Sequence, residues 1–305
     1  VEDILKKGGT VELILPKMIF KETIYQIEQK IRKNAALRWL AAFGLTITAV
    51  PPGYVGAMPT GGDVRSGIAE ITQNGQQMDI YQQTARTAID WSSFNIAEGE
   101  LVNFIQHPEW IAVNRVLGND ASQIFGSLQA GGTVFLINPN GVLFAPGAQV
   151  DTGGLVVSTA KVTDSFMTGF GDSVDAISLQ LDEASAGKVI NQGTINAEGG
   201  LVVLHAKEIE NTGTIHADGG RIALAAAKDV SLAADSAGKL NFAVDGDVLS
   251  GKVLNSGTIN AQGGYVMLTA KSAGDVLSSV VNHTGLIEAK SLSVNEKGEI
   301  LLDGG

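Results

Sequence analysis

The sequence predicts an all-β protein: a right-handed parallel β-helix with an N-terminal β cap and short extra-helical hairpins. Three observations carry that expectation. A unit of about 20 residues recurs through the C-terminal half. The chain of 305 residues holds 38 glycines, while 17% of residues are charged and 6% aromatic, which suits many short strands and tight turns. The repeat region lacks the apolar period of an amphipathic helix.

The repeat is written in asparagine and glycine. Val189-Ile-Asn-Gln-Gly-Thr-Ile-Asn-Ala-Glu-Gly-Gly200 returns as Ile209-Glu-Asn-Thr-Gly-Thr-Ile-His-Ala-Asp-Gly-Gly220 and as Val253-Leu-Asn-Ser-Gly-Thr-Ile-Asn-Ala-Gln-Gly-Gly264. Val281-Asn-His-Thr-Gly-Leu-Ile-Glu-Ala289 is a weaker copy. Asparagines 191, 211, 255 and 282 are read as equivalent, in steps of 20, 44 and 27 residues. Two or three short strands joined by Gly/Asn turns make one coil, and coils stack about 4.8 Å apart. Matching Val, Ile and Leu positions then form one core. Asparagine side chains bond turn backbone at the corners, and glycine takes corners of positive φ. The longer steps call for insertions or an extra coil. A leucine-rich repeat shares the period, but its leucine spacing is absent. On this reading residues 58–305 form on the order of ten coils, a rod of about 50 Å.

In chain order, Val1 to Leu15 shows no clear period, and Met18 is a natural start. Lys30-Ile-Arg-Lys33 and Arg38 precede an apolar run of 12 residues, Trp39 to Val50, which Pro51-Pro52 breaks. Val55-Gly56-Ala57 then offers small residues for cleavage. This is the three-part pattern of a secretory signal peptide. The run falls short of the ~20 apolar residues that span a bilayer. Cleavage is expected between Ala57 and Met58. That divides the chain into an upstream segment and signal peptide, residues 1–57, and a mature domain, residues 58–305.

Ile68 to Thr72 and Met78 to Gln82 alternate apolar and polar around Asn74-Gly75, a hairpin signal. Thr87 to Trp91 adds a strand. These strands are expected to cap the first coil, because an open solenoid end exposes a pairing edge. Val162 to Gly187 reads as polar and acidic, a loop or hairpin outside the helix. Asp229 to Ala234 and Lys239 to Val244 read as antiparallel strands around a turn at Asp235 to Gly238. Leu301 to Gly305 falls where another coil should start, so the helix is expected to continue beyond the fragment.

The most informative stretch is Gly132-Thr-Val-Phe-Leu-Ile-Asn-Pro-Asn-Gly-Val-Leu-Phe-Ala145. Val134 to Ile137 is a continuous apolar run, expected to be buried on both faces. Pro139 fixes φ for the second turn position, and Asn140 and Gly141 tolerate the left-handed region. Around it stand, in order, Phe94-Asn95-Ile96, Val102-Asn103-Phe104, Asn114-Arg115-Val116, Ser122 to Gly126, Gly132 to Gly141 and Gly153 to Thr159. This ordered set resembles the N-terminal secretion domain of two-partner secretion exoproteins of the filamentous haemagglutinin type. The resemblance runs from about Met58 to the end of the chain. The family's Asn-Pro-Asn-Leu motif is absent, and Trp91-Ser-Ser-Phe-Asn-Ile stands in that region.

The resemblance implies a non-enzymatic secretion domain at the head of a large adhesin-like exoprotein. It implies export through the periplasm of a Gram-negative-type bacterium, to the medium or the cell surface. The implied partner is an outer-membrane β-barrel transporter with periplasmic docking domains. Host-cell or bacterial surface receptors would be reached through other parts of the protein. Asn138, Pro139, Asn140 and Gly141, with Asn114 and Arg115, are the candidate transporter-recognition or folding residues. The turn is either contacted by the transporter or needed to close a fold-nucleating corner, and the second role is the favoured one.

Charge and composition narrow the alternatives. The net charge is −11, and residues 1–57 carry 8 Lys/Arg against 5 Asp/Glu, which leaves 13 against 27 for the rest. So acidic a body disfavours nucleic acid as a partner. The chain has no cysteine, which fits a protein threaded unfolded through a pore. No cofactor is expected. Gly246 to Lys252 imitates a phosphate loop, but Val253 stands where a Ser or Thr hydroxyl is needed. His205 and His216 read as exposed repeat positions rather than as a pair brought together on adjacent coils. The alternative function is a stand-alone β-helical carbohydrate-active enzyme of the pectate-lyase kind. Such enzymes cluster acidic Ca²⁺ ligands, and here only Glu198 and Asp218, with Gln262, share a repeat position.

Overall fold

The computed structural model describes residues 58–172, 176–182, 185–234, 240–246, 251–270, 280–289 and 299–303. The signal-peptide reading of residues 1–57 and the turn at 235–238 lie outside the described residues. The described part opens with strands β1 (Asp63–Ser66), β2 (Ala69–Asn74), β3 (Gln77–Gln82) and β4 (Arg86–Trp91). Then come β5 (Leu101–Ile105), β6 (Ile111–Val116), β7 (Ser122–Ile124), β8 (Ser127–Ile137), β9 (Val142–Phe144) and β10 (Gln149–Ser158). A short helix, α1 (Asp164–Gly169), and β11 (Ala176–Gln180) follow. The first regular repeat is β12 (Lys188–Asn191), β13 (Thr194–Asn196) and β14 (Leu201–His205). The second is β15 (Glu208–Asn211), β16 (Thr214–His216) and β17 (Arg221–Ala226). After β18 (Asp229–Ala234) and β19 (Leu240–Asp245) the repeat resumes with β20 (Lys252–Asn255), β21 (Thr258–Asn260) and β22 (Tyr265–Ala270). Its last described strands are β23 (Val280–His283), β24 (Leu286–Glu288) and β25 (Glu299–Asp303).

Strands of successive coils pair in parallel on three faces. The long face runs β4, β6, β8, β10, β14, β17, β22, β25. The second runs β3, β5, β8, β10, β13, β16, β21, β24. The third runs β7, β9, β12, β15, β20, β23. β8 and β10 are long enough to serve the first two faces at once. The expected parallel β-helix is therefore the observed architecture. The rungs of the long face span roughly 34 Å at about 4.8 Å per step. That is shorter than the expected rod, because the insertions take up chain that the estimate assigned to coils.

The core is built by stacking equivalent apolar residues. Val142, Val189, Ile209 and Val253 form one column, and Val150, Ile195, Ile215 and Ile259 another. Leu155, Val202, Ile222 and Val266 form a third, and all twelve are buried. Each such side chain contributes about 1.5–3 kcal/mol relative to exposure.

The two glycines of each pair do different jobs. Gly199, Gly219 and Gly263 have φ of +69°, +67° and +72° and open space where a Cβ would be. Gly200, Gly220 and Gly264 are needed for close approach: an added Cβ would overlap the carbonyl oxygen of Gly153, Gly200 or Gly220 in the coil before. Only the first glycine fills the role expected from the sequence.

The cap follows the expected hairpin. β2 and β3 pair antiparallel, and Gly75 takes φ +59° at the first loop position. β1 pairs antiparallel with β4, while β3 and β4 are also the first parallel rungs. The starting edges of the first two faces are thus closed by antiparallel strands. Met58 is 5% exposed and packs in the main core.

The insertions join into one extra-helical sheet, β11–β18–β19, antiparallel throughout. The 44-residue step is thus an insertion, β18 and β19, and not an extra coil. Residues 162–187 depart from the polar reading. Met167, Phe170, Ile177, Leu179 and Leu181 are buried against the outer side of the long face, with Val113, Phe135, Val156 and Val203. β8 and β14 are consequently apolar on both faces.

Candidate folding and recognition site

Val134 to Ile137 are fully buried, as their composition predicts. The chain then reverses at Asn138-Pro139-Asn140-Gly141, where Gly141 N–H donates to the Asn138 carbonyl at 3.0 Å. Gly141 takes φ +113°, and an added Cβ would sit 2.8 Å from the Lys188 carbonyl oxygen of the next coil.

Asn138 is the fixed point of this turn. It has no exposed surface. Its Nδ2 donates to the Asp120 carbonyl and to Ser122 Oγ, both at 3.0 Å. Its Oδ1 accepts from Asn140 N–H at 3.0 Å, the Asx arrangement that fixes the turn. Its own backbone N–H donates to Ser158 O at 2.9 Å. Asn140 is exposed, but its Nδ2 donates to Gly118 O at 2.8 Å. Pro139 is half-buried, and its carbonyl accepts from Ser185 Oγ at 3.3 Å. One turn thus ties together the loop at 118–122, the end of β10, and the segment leading into β12.

Asn114 and Arg115 are neighbours in β6 that point to opposite sides. Asn114 faces the main core and is fully buried. Its Oδ1 accepts from Trp91 Nε1 at 2.9 Å, and its Nδ2 donates to Phe135 O at 3.1 Å. Trp91 packs edge-on to Phe94, with ring centroids 5.5 Å apart. Asn95 Oδ1 accepts from Gln123 N–H at 2.8 Å. Trp91 to Ile96, which stands in place of the missing family motif, is thus a built corner.

Arg115 faces outward, under the insertion. Its Nε and Nη2 hold the two carboxylate oxygens of Asp90 at 2.7 Å each. Nη2 also reaches Asp164 Oδ1 at 2.7 Å, and Nη1 donates to Val162 O at 3.1 Å. Asp90 raises the Arg115 pKa against the opposing effect of burial, so this guanidinium is always charged. The structure sets Asn114 and Arg115 beside Leu136 and Ile137, the residues that lead into the turn at 138–141, while their side chains bond Trp91 and Phe135 on one side and Asp90 and Asp164 on the other. Each group ties down a different corner of the same early coils.

The asparagine column is a side-chain ladder. Asn191, Asn211 and Asn255 are in register, and the fourth place is His283, not Asn282. Asn282 pairs with Leu254 on the neighbouring position. His205 also departs from expectation. It has no exposed surface and lies on the long face, whereas His216 lies on the second face and pairs with Asp218 at 3.2 Å. His205 Nε2–H donates to Ala227 O at 3.0 Å, which leaves Nδ1 to accept from Ser158 Oγ at 3.0 Å. Burial lowers its pKa to about 4, against the smaller opposing effects of the Ala227 bond and Asp229.

Features relevant to the enzyme alternative are also placed. Asp218 Oδ1 accepts from Gln262 N–H at 3.0 Å, so this carboxylate is engaged in coil stacking. Among the described residues, no group of three or more His, Asp and Glu lies together as a metal site.

A family model of the TPS secretion domain matches residues 56–305. The chain belongs to the TPS, or two-partner secretion, domain family. The TPS domain is 34% identical over 249 residues to a heme/hemopexin-binding protein of Haemophilus influenzae, covering 80% of this chain and 27% of that protein. A second Haemophilus influenzae heme/hemopexin-binding protein is 34% identical over 251 residues, covering 74% of this chain and 26% of that one. The chain spans about a quarter of the length of these curated relatives. The crystal structure of the HMW1 secretion domain from Haemophilus influenzae matches with a TM-score of 0.68 at 26% identity, over 80% of this chain and 62% of that one. The family expected from the ordered motifs is thus the family found.

Proposed function

We propose that residues 58–305 are the address by which a dedicated outer-membrane β-barrel transporter takes up a larger exported protein. They also form the nucleus on which its β-helix folds outside. The observation that supports this reading is the pairing of β8. In the folded domain it has parallel partners on both sides, β5 and β6 before it and β10 after it. In the unfolded chain the same backbone is open and can add to the sheet edge of a periplasmic docking domain. Recognition therefore precedes folding. The antiparallel cap closes the starting edge, so coils add toward the C-terminus only. Each new coil buries apolar residues and completes a ladder, which opposes backward sliding without ATP.

The role is non-enzymatic, and the destination is the medium or the cell surface. Receptor binding belongs to parts of the protein other than residues 58–305. The Asn138–Gly141 turn acts by closing a corner. The test is binding of the transporter's purified docking domains to the chain diluted from denaturant and to the folded chain. The unfolded chain is expected to bind and the folded chain to fail. Equal binding by both states, or by neither, refutes the reading.

A further inference from the structure

We propose that α1 and the turn after it, residues 164–171, form a latch that holds the N-terminal cap shut. Strand β1 is weakly held by its own sheet. Among the described residues it pairs with β4 alone, and its register slips between Val64 and Ser66. The missing support comes from much later in the chain. Ser66 Oγ donates to Met167 O at 2.8 Å and accepts from Gly171 N–H at 3.1 Å, a partner 105 residues away. Arg86 of β4 lies over the Phe170 ring, 5.7 Å from its centroid. Arg65 of β1 approaches Asp90 at 3.4 Å, and Asp90 is the carboxylate that Arg115 grips beside Val162 and Asp164.

Burial shows which of these contacts matter. Met167 and Phe170 have no exposed surface and sit against the outer side of the long face, with Ala88 and Val113. The Asp164 side chain is 80% exposed, so its bond to Arg115 contributes little. The latch is therefore the buried Phe170 and Met167 together with the Ser66 bonds. Thr163 caps α1 by accepting from Phe166 N–H at 3.2 Å, which sets the direction in which Met167 and Phe170 enter.

On the function proposed above, this coupling sets an order of events at the cell surface. The cap gains its full protection only after Gly171 has emerged. The first coils then receive their outer cover and their starting edge at the same step. The coupling itself is a property of the folded protein, so its test needs no transporter.

The experiment is hydrogen exchange on the purified full chain and on its Ser66→Ala and Phe170→Ala variants. The expected result is exchange in β1 and β2 faster by about tenfold for Ser66→Ala, the worth of one net hydrogen bond, and by more for Phe170→Ala. Exchange in β15 to β17 is expected to stay as in the parent. Local acceleration in either variant supports the latch. Unchanged cap exchange in both, or acceleration that is uniform along the chain, overturns it. Failure here leaves the address function standing, because docking-domain binding is measured on the unfolded chain.

Discussion

Asn191 Nδ2 donates to Asn211 Oδ1 at 2.8 Å, from one coil to the next. Asn211 Nδ2 passes the pattern on to Asn255 Oδ1 at 2.6 Å, and Asn255 Nδ2 meets His283 Nδ1 at 3.0 Å. Asn191 Oδ1 also accepts from Gly193 N–H at 3.2 Å, so the ladder reaches the turn backbone. These amides are buried, and each bonds a neighbour in an adjacent coil. The ladder therefore fixes register: a slip of one residue strands several buried donors at once.

Asn211→Ala is the direct test of that claim. It removes the acceptor of Asn191 and the donor of Asn255 together. The expected cost is about 2–4 kcal/mol, two buried polar groups left unmatched. Urea unfolding measures it. A loss below about 0.5 kcal/mol, the size of an ordinary surface change, refutes the ladder as a source of stability.

The glycine pairs make a second, paired prediction. Gly220→Ala drives a methyl group into the Gly200 carbonyl and is expected to cost about 3 kcal/mol or more. Gly219→Asn faces open space at φ +67°, which asparagine tolerates, and is expected to cost about 1 kcal/mol or less. Reversed costs in thermal unfolding mean that the two roles have been exchanged.

These glycines also show what the sequence carried. The repeat was legible because the backbone approach at Gly200, Gly220 and Gly264 admits no side chain, so the spacing is kept strictly. The ladder position is less strict, since any buried donor–acceptor pair suits it. Asparagine alone therefore points to Asn282, whereas the ladder takes His283. Gly285 marks that register, lying two residues beyond His283 as Gly257 lies two beyond Asn255.

The covered outer face was harder to read. His205 stands in Leu201 to His205, a strand buried on both sides, yet its cover comes from β11 and β18, distant in sequence. The average composition of 162–187 hid a local signal. Ile177, Leu179 and Leu181 alternate with polar residues, the mark of a half-buried strand. Asn114 and Arg115 stood out only through the family resemblance; nothing in their spacing shows that one enters the core and the other binds Asp90.

His205 gives a pH dependence with a definite sign. An unfolded histidine titrates near 6.5, and burial lowers this one to about 4. Between those values the unfolded chain binds more protons, so stability is complete above pH 6.5 and falls as pH falls toward 4. The loss is about 2 kcal/mol between about pH 7.5 and about pH 5. Glu208, held low by Lys188, acts with the same sign, but only from the carboxylate range downward. Urea midpoints at the two pH values should therefore converge in His205→Gln. A parent chain with equal midpoints at both contradicts the assignment.

Cleavage between Ala57 and Met58 remains a prediction from the basic, apolar and small-residue pattern. Met58 lies in the main core, so a mature chain beginning there keeps its first side chain packed. Sequencing the N-terminus of the secreted protein should return Met58. Retention of residues 1–50 rules the signal peptide out.

The turn at Asn138 and Asn140 separates closing a corner from being read by a transporter. Asn138 is buried and bonded to Asp120, Ser122 and Asn140, so Asn138→Ala is expected to cost about 2 kcal/mol or more. Asn140 is exposed, and water replaces much of what its side chain loses, so Asn140→Ala is expected to cost about 1 kcal/mol or less. If the turn acts only by closing the corner, secreted yield follows that order: Asn138→Ala is lost and Asn140→Ala is largely retained. Direct recognition predicts a different pattern, because in the unfolded chain Asn138 and Asn140 are both open to the transporter. Asn140→Ala would then melt like the parent and yet fail to be secreted. Normal secretion of both variants, despite the lower stability of Asn138→Ala, removes the turn from both roles.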